Sequence, residues 1–186
     1  MNENTKKELE IQMARCREMF MKKMEDYGTS WSIMRPTSLT DQIYIKAKRV
    51  RTLEKIGASQ AAVDEGIEPE FVGIINYAAM ELIQLARTDQ EELIDRRVAE
   101  KLYDKAIHDA TSLLFNKNHD YDDAWREMRI SSITDIILQK LLRTKEIEDN
   151  DGITKVSEGV DANMMDIINY AFFALIKLAE SGASNA

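Results

Sequence analysis

The chain has 186 residues, of which 44% are hydrophobic and 31% charged, with a formal net charge of −8. That balance describes a soluble globular protein of one domain or two small ones. The acidic total, with no run of Lys and Arg, argues against a nucleic-acid backbone as the main partner, and the single cysteine, Cys16, excludes an internal disulfide and a four-cysteine zinc site.

Seven glycines and two prolines leave few breakers, which favours helices. The opening MNENTKKELEIQMARC is charged and amphipathic and lacks the apolar run of a signal peptide, so a cytoplasmic protein is expected. Residues 5 to about 24 predict an amphipathic helix with Leu9, Met13, Cys16, Met19, Phe20 and Met24 on its inner side. Asp26 to Pro36 reads as a connector. Ser38 or Thr40 is the expected cap of a second helix that runs to about Lys55 and ends at Gly57. Residues 58–69 read as a loop, and Pro69 suits the first turn of a third helix that reaches about Arg87. Asp89 with Glu92 spells a capping box for a helix through Phe115. NKNHDYDD is a loop or a short helix, and Ser132 starts a helix to about Asp149. NDG is a turn, VSEGVD a loop, and Asp161 the expected cap of the last helix.

Residues 26–54 align with 120–148, and residues 63–86 with 156–179 after a one-residue slip. The matches include Asp26/Asp120, Tyr27/Tyr121, Trp31/Trp125, Thr40/Thr134, Asp41/Asp135, Lys46/Lys140, Arg49/Arg143, Glu65/Glu158, Asn76/Asn169 and Tyr77/Tyr170. The chain is therefore read as all-α, a helical bundle of two tandem repeats of roughly three helices each, 1–88 and 89–186, forming one compact domain. Two copies in one chain suggest a fused dimer with an internal pseudo-two-fold axis. A further homodimer of whole chains is plausible.

MMDIINYAFFALIKLA, from Met164 to Ala179, is apolar around nearly its whole circumference, as in a helix at the centre of a domain. It reads as too short and too polar to span a membrane, which takes about 20 apolar residues. Asp166, Asn169 and Tyr170 share one face of it. A buried Asp166 needs a cation, a metal or a proton. Lys140 is centred on the apolar face of the preceding helix, with Arg143 at its edge, so Lys140 must snorkel or meet an acid; Asp166, Glu158 and Asp120 are candidates. Two accounts stay open: a structural ion pair that locks two helices, or a phosphate site with Lys140 and Arg143 as its cations.

Asp120, Asp122, Asp123, Glu158, Asp161 and Asp166 make the second copy rich in oxygen ligands suited to Mg²⁺ or Mn²⁺, and His119 is a further nitrogen donor. Helix capping and loop solvation account equally for several of these acids. Tyr121 and Trp125 are spaced to stack on a base, as are Tyr27 and Trp31, although paired aromatics beside a helix start also serve as core anchors. The ten methionines read as core filler. No dinucleotide fingerprint, P-loop, HExxH or nucleophile elbow is present. The first copy has Gly73 where the second has Asp166, so the fuller set lies in the second copy.

KNHDYDDAWREMR, SSITDIILQKLLRTKEIEDN and VSEGVDANMMDIINYAFFALI resemble the nucleotide-modification-associated domain, a bacterial and phage family that often occurs as a tandem duplication. The resemblance implies a place in nucleotide metabolism. A more distant likeness is to the all-α nucleoside triphosphate pyrophosphohydrolases of the MazG and dimeric dUTPase type, in which acidic side chains hold Mg²⁺ while water attacks a phosphoanhydride. Their paired ExxE and ExxD motifs are not reproduced: the ExxD here, Glu158 to Asp161, falls in a predicted loop.

The expected activity is metal-dependent processing of a nucleotide, or its binding without turnover. Asp166, Glu158 and Lys140 would be the catalytic groups, with Asp120, Glu158 and Asp166 on the metal. Tyr121, Trp125, Arg143, Asn169 and Tyr170 would contact the nucleotide. Their first-repeat counterparts are Asp26, Tyr27, Trp31, Lys46, Arg49, Glu65, Asn76 and Tyr77. The alternative is a helical interaction or regulatory protein in which these polar residues fix helix register.

Overall fold

The computed structural model describes residues 3–56, 66–118, 123–153 and 158–183. Gly57, Glu65, His119, Asp120, Tyr121 and Asp122 therefore lie outside the described residues. Within them the chain forms α1 (Glu3–Tyr27), α2 (Pro36–Ile56), α3 (Glu68–Leu85), α4 (Arg96–Asn118), α5 (Ile130–Glu148) and α6 (Val160–Ala183), with short 3-10 helices at Ser30–Ile33 and Ala124–Glu127 and no strand. The sequence pattern of few breakers and helical periodicity is realised throughout.

α3 and α6 pack on one another at the centre. α2 covers α3, α5 covers α6, and α2 and α5 also meet. On the other side α1 and α4 each touch both central helices and one another. Exchanging α1, α2, α3 with α4, α5, α6 reproduces this pattern, which is the pseudo-two-fold symmetry expected of the duplication. The central pair is apolar all round because it is covered on both sides. Ile74, Ile75, Ile167, Ile168, Phe172 and Leu175 are fully buried, each worth about 1.5–3 kcal/mol against exposure. α6 is longer than its apolar stretch suggests and is long and apolar enough to cross a membrane, yet 61% of its apolar window is buried inside this fold. Packing on its neighbours accounts for its composition.

Several predicted boundaries move. Pro36 opens α2, so neither Ser38 nor Thr40 caps it, and Thr40 lies one turn inside with its hydroxyl committed elsewhere. The Asp89–Glu92 box is not used: Arg87 grips the carbonyls of both residues, and α4 starts later, with Asp95 Oδ1 accepting from the Arg97 amide at 2.8 Å. Asp161 lies in the first turn of α6, which begins at Val160. Met19, expected inside, is 42% exposed, while Thr5 and Gln12 are buried on the inner side of α1.

Candidate functional site

Lys140 reaches Asp166 at 2.7 Å, both side chains about four-fifths buried. A lysine on an apolar helix face therefore meets an acid on the following helix, one of the two outcomes its position allowed. In the first copy Lys46 stands at the same place, but its α3 neighbour is Gly73. The carboxylate comes instead from Glu70, one turn earlier, at 3.3 Å, and Glu70 also holds Arg49. Asn163 occupies the Glu70 position in the second copy and turns back to the Gly159 carbonyl at 2.8 Å. Moving the acid by one helical turn keeps it on the same face. A Cβ at Gly73 would stand 2.6 Å from Cε of Lys46, so the flexible end of that lysine lies over the glycine and would shift to admit a side chain. Arg143 is exposed and pairs with Glu146 at 3.1 Å.

The asparagines are structural fasteners in both copies. Asn76 donates to the Cys16 carbonyl at 3.2 Å, and Asn169 donates to the Ala110 carbonyl at 2.9 Å. Each thereby ties a central helix to the first helix of its own copy. Asn76 further accepts from the buried Tyr103 hydroxyl at 2.8 Å, whose phenol burial holds well above its ordinary range. Leu9 stands at the Tyr103 position in the first copy, and Asn169 Oδ1 has no partner among the described residues.

Trp125 is buried and stacked on Phe173 at 4.2 Å, and Tyr170 meets that ring edge-on. Trp31 is buried against Phe20, which stacks on Tyr103. Both indoles are core anchors along most of their surface, and neither Nε1 has an acceptor among the described residues. Glu158 is exposed before α6, and Asp26 is exposed near the end of α1. Among the described residues no three His, Cys, Asp or Glu side chains stand together.

The hollow that does collect candidate residues lies in the first copy. Two pockets of about 170 and 410 Å³ run along the α1–α3 seam and share Phe20, Lys23, Tyr77 and Met80. Gly73 and Asn76 line one end, and Tyr27 and Trp31 the other. Arg15 stands at the rim, paired with Glu68, and Nζ of Lys46 lies 5.9 Å from the Tyr77 ring centre. Lys23 is exposed and makes no ion pair among the described residues. Neither Lys23 nor Met80 was singled out from sequence. Lys23 carries a signal all the same, since Lys117 matches it in the second copy. A larger cleft of about 540 Å³ opens between α3, α4 and α6, and of the candidate acids only Asp161, among the described residues, lines it. The equivalent groove of the second copy is flanked by residues outside the described set.

A model of the family described as nucleotide modification associated domain 1 matches the chain twice, over residues 23–85 and 117–178. Each match covers the end of the first helix, the connector, and the second and third helices of one repeat. No curated protein and no solved structure matches the chain.

Proposed function

We propose, for a chain that belongs to the nucleotide modification associated domain 1 family, that it binds a nucleotide in the α1–α3 groove of its first copy. The observation that carries this reading is the composition of the groove: an aromatic and thioether slot of Phe20, Trp31, Tyr77 and Met80 with Lys23 at its rim. A base suits the slot, and a phosphate suits the ammonium group. Tyr27, 71% exposed at the mouth, is placed to cover a bound base.

The reading is confined to binding. Mg²⁺ or Mn²⁺ would enter with the phosphates, sharing few protein oxygens. The proposed metal ligands do not converge among the described residues, because Asp166 is held by Lys140, Glu158 is exposed and Asp120 lies outside that set.

Thermal unfolding against nucleoside mono-, di- and triphosphates, with and without Mg²⁺ or Mn²⁺, tests the proposal. A nucleotide at 100 times its dissociation constant adds about 2.7 kcal/mol of stability. Lys23→Ala should abolish that shift and leave the unliganded midpoint unchanged. A second reading has its own observation: Lys46, Lys140, Asn76 and Asn169 all have structural partners, as in an interaction protein whose shared polar residues only set helix register. A flat response to every nucleotide would favour it.

A further inference from the structure

Glu81 is the most deeply buried acid among the described residues. It sits on α3 with 0% exposure, and its Oε2 has no hydrogen-bond partner among the described residues. Its Oε1 lies 3.1 Å from the Thr40 hydroxyl, and Glu148 Oε1, from α5 of the other copy, lies 2.7 Å from that same hydroxyl. The Pro36 carbonyl is a third acceptor at 3.3 Å. One hydroxyl carries one proton, so it cannot donate to two carboxylates. The shorter contact assigns the Thr40 proton to Glu148. The contact to Glu81 is then a hydrogen bond only if Glu81 donates it. Among the described residues no Lys or Arg pairs with Glu81, and an unpaired buried carboxylate costs several kilocalories per mole.

We propose that Glu81 is a neutral carboxylic acid in the folded protein, that it donates to Thr40 while Thr40 donates to Glu148, and that this chain is a pH-sensitive latch between the two copies. Transfer along it is balanced. The Glu81 proton passes to Thr40 Oγ1, the Thr40 proton passes to Glu148, and Glu148, half-buried, exchanges with solvent. Loss of the proton leaves a bare charge on Glu81 and two anions on one hydroxyl, which drives α3 away from the α2–α5 seam. The latch exists at one end only. The symmetric bond, Thr134 to Glu54 at 2.8 Å, has Ala174 where the first has Glu81.

The surrounding charges favour the neutral form. Burial first, then the Glu148 charge, hold Glu81 well above the usual carboxylate range. Burial also raises Glu148, helped by Asp41 and Asp149 and opposed by the Thr40 bond and Lys145. A folded-state pKa above the unfolded one stabilises the fold below the unfolded value, and that contribution is lost as pH rises through the folded value.

Glu81→Gln keeps the shape and the donor but cannot ionise. The full-length protein and this variant should therefore diverge as pH rises from mildly acidic to alkaline, the wild-type unfolding midpoint falling by several degrees relative to the variant. In the infrared, the wild type at neutral pH should show a carbonyl band of a neutral carboxyl that the variant lacks. Parallel midpoints together with no such band would overturn the proposal. So would stabilisation of the wild type alone by added Na⁺ or Mg²⁺, because a cation would then hold the site in place of the proton. Should the variant not fold, the wild-type profile decides by itself: a midpoint that rises steadily with pH sinks the latch.

Discussion

Gly73 and Asp166 occupy one place in the two copies, and the difference between them is compensated one turn away by Glu70 and Asn163. Glu70→Asn alone should take from Lys46 the carboxylate it pairs with, at a cost of about 2 kcal/mol, between the values for exposed and buried pairs. Adding Gly73→Asp should recover most of that loss, since it copies the Lys140–Asp166 arrangement. Urea unfolding of the single and double variants checks this, and a double variant no better than the single would mean that the two copies do not share one pairing logic. The asparagines differ in the same testable way. Asn76→Ala removes the donor to the Cys16 carbonyl and leaves the buried Tyr103 hydroxyl without its acceptor, whereas Asn169→Ala removes only the donor to the Ala110 carbonyl and an oxygen that has no partner among the described residues. The first should cost about 1–3 kcal/mol and the second less, by the same measurement. Cys16 is also fixed at this scale: burial pushes its thiol up to about 12. Its alkylation in native buffer should be no faster than global unfolding, with fast labelling counting against a closed α1–α3 seam.

The seam between α2 and α5 is held by pairs that the two-fold repeats. Thr40 binds Glu148 and Thr134 binds Glu54, while Asp41 meets Lys145 and Asp135 meets Arg51 at 3.6 Å. The ion pairs are largely exposed, so each is worth at most about 1 kcal/mol and is screened by salt. Lys145→Ala should lower the midpoint by no more than a few degrees at low ionic strength and by nothing measurable in high salt. The helix starts are decided locally. Asp95, not Asp89, accepts the second amide of α4, so Asp95→Ala should cost about 1 kcal/mol and Asp89→Ala almost nothing. Equal costs would mean that the Asp89 box forms in solution.

At the scale of the whole molecule, α3 and α6 are covered only when both copies are present. Each copy alone would expose the face of its central helix that packs on the other copy, an apolar area that a chain of about 90 residues cannot leave in water and stay monomeric. Fragments 1–88 and 89–186, the division proposed from the repeat, should each lack sharp thermal unfolding alone and regain it on mixing. Independent cooperative unfolding of either monomeric fragment would show that the copies are separate domains.

The duplication, the all-helical class and the buried last helix were legible in the residues themselves. Trp, Tyr, Lys and Asn recur in register, and an apolar 3.6-residue period leaves one economical way to bury itself. The lysine on an apolar face left two outcomes, snorkelling to solvent or meeting an acid, because a partner on another helix is chosen by packing. Sequence comparison of the copies pointed to Asp166 and missed Glu70, which serves the other lysine from one turn away. The asparagines and tryptophans matched between copies as a binding site would match, and only the tertiary structure assigned their contacts to backbone carbonyls and stacked rings. Glu81 had no counterpart to draw attention to it. Thr40 stands 41 residues from Glu81 and 108 from Glu148, and no local pattern encodes such a meeting. Residue type and period fix which surfaces must be buried; which polar groups are then left facing one another is decided when the helices close.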